Sequence, residues 1–251
     1  MTKTKLFGAA FIALAATAGA AHAQQQGSVG LSYQSTDFGS GELETATING
    51  ALQFNDNLQV NARYADFEGG DANAWGIDGF LSTRNDSYGY GAFLGYSSFE
   101  SDADEWSIGG FGQLYRGNTN WTAQLGYSDT EGDLSIIHLD GEGRFFISEN
   151  FSVQANLGYG DIDSDFGGDD YWTGGVGAEW QIPGSHVSVN GGWQRVEFDG
   201  GETDTLGAGV RFHFDGGSLI DRSRSGASLR RNTPTALDLE LGGGNAGFVP
   251  R

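Results

Sequence analysis

Four ionisable side chains stand at every second position of one short run: His138, Asp140, Glu142 and Arg144. A period of two puts them on one face of a β-strand, with Ile137, Leu139, Gly141, Gly143 and Phe145 on the other. An imidazole beside a carboxylate could act as a general base, whereas a ladder of mixed charge could order water and set an ion preference. The same parity places Arg63, Asp78, Arg84, Glu179, Arg211 and His213 on the polar faces of their own strands. If Phe145 sits opposite Phe151, the four face Gly158, Asn156, Gln154 and Ser152, with no opposite charge directly across. Buried charges must be solvated or paired, so Arg63, Asp78, Arg84, His138, Asp140, Glu142, Arg144, Glu179 and Arg211 are either the lining of an aqueous path or a salt-bridge mesh that closes it.

Other site chemistry finds little footing. There is no Cys, so neither disulfides nor thiolate metal sites are available. Asp161-Ile162-Asp163-Ser164-Asp165 begins like a calcium-binding loop, but Gly167 falls one place late and Glu is missing from the twelfth position. No metal and no cofactor is expected.

The elements that position these residues repeat. Tyr33, Tyr64, Tyr96, Tyr127, Tyr159 and Trp193 follow one another at steps of 31, 32, 31, 32 and 34 residues. So regular a step means one unit used six times. Each unit reads as strand, acidic stretch, strand, tight turn. The strands alternate, as in Val29, Leu31, Tyr33 against Ser28, Gly30, Ser32, Gln34, and twelve are expected between residues 27 and 214.

Alternation alone fits a soluble sandwich as well as a membrane barrel. The aromatics decide. One row (Tyr33, Tyr64, Trp75, Tyr96, Trp106, Tyr127, Tyr159, Trp172, Trp193) lies beside the acidic stretches, and a second (Phe54, Tyr88, Trp121, Phe145, Phe151, Trp180, Phe214) beside the turns. Two aromatic rows with small and aliphatic residues between them match the two interfaces of a bilayer. The expectation is an all-β transmembrane barrel, antiparallel and up-and-down, with about 12 strands. Its inward face reads as polar and mostly small.

The N-terminus has the order of a secretory signal peptide: Lys3 and Lys5, the apolar run Leu6 to Ala18, then Ala21-His22-Ala23. Cleavage after Ala23 makes residues 1–23 the signal peptide, 24–214 the barrel and 215–251 a tail. It also leaves 11 Arg against 33 acidic residues, a surface that repels nucleic acid. Turns at 55–57, 85–87, 117–120, 148–150 and 183–185 are short, and the other connections read as longer and acidic, holding 22 of the 33 acids. Longer loops belong outside, which puts the acidic side toward the medium and both termini in the periplasm.

Over residues 27–214 the chain resembles the outer-membrane β-barrel proteins of Gram-negative bacteria, in particular the small porin-like ones. In these barrels the last strand is read by the insertion machinery, and Leu206, Ala208, Val210, Phe212 and Phe214 look like that signal; the 37 residues after Phe214 depart from the pattern. Outer-membrane lipases and omptin-like proteases need His at the rim or in outer loops. Here His186 begins a strand at the turn side and His138 and His213 face inward, so no enzyme is expected. The resemblance implies passive diffusion of small hydrophilic solutes or ions, with cations preferred because of the acidic mouth; the alternative is a closed barrel acting through its acidic loops. Expected partners are outer-membrane lipid and lipopolysaccharide, the latter bridged by divalent ions, the insertion machinery, small solutes or cations, and a possible second copy of the chain. The tail, with Arg222, Arg224, Arg230 and Arg231, reads as a flexible periplasmic extension. Sharper alternatives are a plug for the lumen or a grip on an anionic periplasmic partner.

Overall fold

The computed structural model describes residues 26–39, 41–67, 73–99, 104–130, 134–164 and 167–231. The expected signal peptide, residues 1–23, and residues 232–251 of the tail lie outside the described residues. Twelve strands follow in order: β1 (Gln26–Asp37), β2 (Glu42–Gln53), β3 (Leu58–Phe67), β4 (Asn73–Arg84), β5 (Tyr88–Phe99), β6 (Asp104–Arg116), β7 (Thr119–Thr130), β8 (Leu134–Ser148), β9 (Phe151–Ser164), β10 (Asp169–Gln181), β11 (Val187–Phe198) and β12 (Gly201–His213). Each pairs antiparallel with its neighbours in the chain, and β1 pairs with β12 from Ser28↔His213 to Asp37↔Asp204, which closes the barrel.

The period-two pattern decides which face is which. Leu31, Leu94, Leu157 and Leu206 are each at least 60% exposed, while Gln34, Gln124 and Gln194 on the opposite parity are buried. An apolar outer belt around a polar interior reverses what a water-soluble sandwich needs and fits a hydrocarbon surround. Both aromatic rows stand on that belt. On the acidic side, neighbouring strands bring rings into tilted contact, Trp75 with Tyr96 (5.4 Å), Trp106 with Tyr127 (5.4 Å) and Tyr159 with Trp172 (4.9 Å). Tyr88, Trp121, Phe145, Trp180 and Phe212 face outward near the other end.

Four details differ from the expectation. The acidic connections are not long loops: strands run on to Asp37, Phe67, Phe99, Thr130, Ser164 and Phe198, three to five residues past the aromatic row. Ser, Thr and Asp there still complete the ladder, since backbone pairing needs no apolar side chain and tight hairpin connections are favoured. In the β8–β9 hairpin a bulge between Phe146 and Ser148 sets Phe145 opposite Val153, so His138, Asp140, Glu142 and Arg144 face Gly160, Gly158, Asn156 and Gln154. The inward face is not mostly small: Phe80, Phe93, Phe111, Tyr115, Phe146 and Tyr171 point into it and are buried. Large residues fit because small ones lie beside them, and a Cβ on Gly109 or Gly160 would run into the Phe93 or Tyr171 ring.

The fourth difference is the tail. Residues 215–231 do not form a free extension; they turn back into the barrel from the short-turn end. Phe214 N–H donates to Gly27 O (2.9 Å), and helix α1 (Leu219–Ser225) follows. Its start is set by a capping box, in which Ser218 Oγ accepts from Asp221 N–H and the Asp221 carboxylate accepts from Ser218 N–H. Leu219 N–H donates to Glu149 O in the β8–β9 turn (3.0 Å), and Arg224 donates to Asn120 Oδ1 (3.0 Å) and to Gly117 O. Beyond Gly226, residues 227–231 continue inside the wall.

Candidate functional site

The inward parity of twelve strands collects the charged side chains into two groups. The first lies toward the short-turn end, around Glu179. Its carboxylate accepts from Ser188 Oγ (2.6 Å), with Arg144, Arg211 and His213 at 3.6, 3.8 and 3.9 Å. Arg144 also donates to Gln154 Oε1 (2.7 Å) and lies over the Phe146 ring. A carboxylate shared by two guanidinium groups offsets the cost of burying all three.

The second group is an acidic band farther from that end: Asp78 on β4, Glu105 on β6, and Asp140 and Glu142 on β8. Strand neighbours give these acids no base, since Asp78 lies between Asn61 and Gly95, Glu105 between Ser97 and Thr130, and Glu142 between Thr122 and Asn156. The bases come from the tail. Arg231 Nε stands 3.6 Å from Asp78 Oδ1, and its Nη1 stands 3.3 Å from Glu105 Oε1 and donates to Ser107 Oγ. Arg230 Nη2 meets Glu142 Oε2 at 2.7 Å.

The backbone and the apolar residue just before these arginines are held as well. Leu229 N–H donates to Gln59 Oε1 (3.0 Å), Gln59 Nε2 returns a bond to Leu229 O (2.7 Å), and Asn61 Nδ2 donates to the same carbonyl (2.8 Å). Gln124 Nε2 donates to Arg230 O (2.7 Å), and Arg84 Nη1 to Gly226 O (2.8 Å). The Leu229 side chain is buried among Phe80, Phe93 and Phe111. The space left beside this segment is small, about 100 Å³ between Ser28, Asn49, Asn61, Arg63, Asp78 and the tail.

All nine expected interior residues lie on the inward parity, and the two groups take six of them. Arg144, Glu179 and Arg211 belong to the first, and Asp78, Asp140 and Glu142 to the second. Arg84 holds the tail backbone, and Arg63 donates to Ser97 Oγ (3.2 Å). His138 is buried beside Gly126, and among the described residues no hydrogen bond joins it to Asp140. Phe212 faces outward and stacks on His186 (5.9 Å), with Phe214 6.1 Å away. The sequence reading does not single out Glu105, which is 1% exposed and inward. The signal was present: Glu105 shares the parity of Ser107, Phe111 and Gln113, opposite to Trp106.

At the acidic rim Arg195 bridges Glu202 (2.9 Å) and Asp204 (2.6 Å). Asp169, Asp170 and Asp199 bring one carboxylate oxygen each within 4.8 Å of one another.

The sequence matches no curated protein. Among solved structures the chain is similar to the KdgM porin in complex with disordered oligogalacturonate, at 8% identity and a TM-score of 0.59, covering 74% of this chain and 98% of that one. It is also similar to the NanC porin, at 7% identity and a TM-score of 0.61, covering 73% and 98%. At such identity the likeness is one of fold. The description "outer membrane protein beta-barrel domain" matches residues 7–214, and with a closed twelve-strand barrel, an apolar belt and two aromatic rows, the chain belongs to that family.

Proposed function

We propose that this barrel, a bacterial outer-membrane protein, is a channel for passive diffusion of small hydrophilic solutes or ions, that it prefers cations, and that its own C-terminal segment closes it. One observation carries this reading: the acidic band of the inner wall meets bases that come from an inserted segment outside the sheet. A barrel built only to be closed could fill its interior with apolar side chains, which is often at least as stable as buried ion pairs. A wall of carboxylates and amides remains usable by water and ions once the segment withdraws. The acidic rim adds a field that concentrates cations and weakens with salt.

In this reading the acidic rim faces the medium and the tail enters from the periplasm. Rim carboxylates are available for divalent bridging to lipopolysaccharide phosphates. Phe212 and Phe214, outward at the short-turn end, are the pair the insertion machinery reads. No catalytic step is assigned. The second reading, a closed barrel acting through its rim, is favoured by the small volume the inserted segment leaves free.

Planar-bilayer recording separates the two. The full chain is expected to be almost silent, and the R222Q/R224Q/R230Q/R231Q variant to show discrete conductance steps. A reversal potential toward cation selectivity should shrink with added D140N/E142Q and with rising salt. Absence of steps from the correctly folded variant refutes the channel and leaves the closed barrel.

A further inference from the structure

The inserted segment is a peptide, and the wall treats it as a ligand in three separate ways. Gln59 exchanges two hydrogen bonds with the backbone N–H and C=O of one residue, Leu229, at 3.0 and 2.7 Å, and Asn61 and Gln124 take two backbone carbonyls. Phe80, Phe93 and Phe111 surround one aliphatic side chain. The acidic band takes the next two side chains, Arg231 between Asp78 and Glu105 and Arg230 on Glu142. Amide, apolar and acidic contacts follow one another in the order Leu229, Arg230, Arg231.

The occupant also leaves capacity unused. Asp140 is 3% exposed and its Oδ2 accepts no hydrogen bond among the described residues. Asp78 Oδ1 lies 3.6 Å from Arg231 Nε, too far for a hydrogen bond, and the cavity of about 100 Å³ opens beside Asp78, Arg230 and Arg231. A tethered segment must satisfy its anchor at α1 and the wall together; an untethered ligand is free of that constraint.

We propose that the inner wall is a binding site for short basic peptides, an apolar residue followed by two cationic ones, and that Leu229-Arg230-Arg231 is its built-in occupant. This names the solute class of the channel and rests on that reading. Gln59 and Asn61 position the peptide backbone, Phe80, Phe93 and Phe111 take the apolar side chain, and Asp78, Glu105, Asp140 and Glu142 take the two cations. Anionic and neutral peptides of the same length are rejected, because they leave the buried carboxylates without counter-charge.

The test titrates acetyl-Leu-Arg-Arg-amide into the detergent-solubilised full chain carrying R230Q/R231Q, with heat-dependent electrophoretic mobility as the folding control. Binding is expected, with affinity reduced about tenfold or more in the wild type, where the site is occupied, and on adding D140N/E142Q. Acetyl-Leu-Gln-Gln-amide should bind at least as weakly. A second variant, L229A, keeps both arginines and loosens only the apolar anchor; its affinity should fall between the other two. Equal heats for the two peptides, or an affinity unmoved by D140N/E142Q, overturn the proposal. Bilayer current through R222Q/R224Q/R230Q/R231Q is read in parallel. Current without peptide binding overturns the peptide site and leaves the channel; peptide binding without current upholds the site and overturns the channel.

Discussion

Truncating Leu229 to Ala should loosen the inserted segment by an amount the structure fixes. The side chain is 3% exposed and surrounded by three phenylalanines, all inside the barrel. L229A deletes three carbons, and at about 0.8 kcal/mol for each buried methylene the loss is about 2.4 kcal/mol. Any cavity the phenylalanines fail to close adds to this. Because the wild-type leucine meets water only when the segment withdraws, the whole loss falls on the inserted state, and the withdrawn-to-inserted ratio rises about fiftyfold. The chain has no Cys, and Ser228 is only 8% exposed, so S228C is a unique reporter at a shielded site. When withdrawal and return are fast relative to labelling, the rate of modification by a hydrophilic thiol reagent is proportional to the withdrawn fraction. S228C/L229A should therefore be modified about fiftyfold faster than S228C alone, and S228C/L31A, altered on the lipid face, at the S228C rate. A ratio near one for folded S228C/L229A would refute the view that Leu229 anchors a removable plug.

Three further outcomes are expected. E179Q leaves Arg144 and Arg211 facing a neutral amide at 3.6 and 3.8 Å, and should lower barrel stability by about 3 kcal/mol in urea titrations read by electrophoretic mobility; an unchanged midpoint would show that Glu179 does not hold these two charges. G95V places a Cβ against Asp78 and Ser107 and 3.1 Å from Arg231 Nη1, so it should displace Arg231 and speed S228C labelling about tenfold. Trp106, Trp121, Trp172, Trp180 and Trp193 are exposed on the outer belt, so brominated lipid chains should quench the tryptophan emission strongly while aqueous iodide does little; the reverse ranking would contradict the bilayer placement.

The membrane barrel was legible because its signals are local. Leu31 and Val210 face outward, and Gln34 and Gln124 inward, as period two requires, and the recurring tyrosines counted the hairpins. Glu105 is legible by the same parity, although its place beside an acidic connection hides it among the surface acids. Phe80, Phe93 and Phe111 were equally open to a parity reading, since each is out of phase with the apolar stripe of its strand.

What touches these inward residues is a different matter. Gln59 meets Leu229 across 170 residues of chain, and Glu142 meets Arg230 across 88. No spacing in the sequence encodes such contacts, because they arise only when closing β1 on β12 creates an enclosed wall and the turn after Phe214 aims the tail into it. The sequence by itself determined twelve amphipathic strands, two aromatic rows and a cluster of arginines beyond the barrel, each a consequence of repeat geometry or composition along the chain. Only the tertiary structure decided that four carboxylates from three strands form one band and that the arginines fill it. Charge complementarity needs a shared location as well as opposite signs, and location is a property of the closed fold.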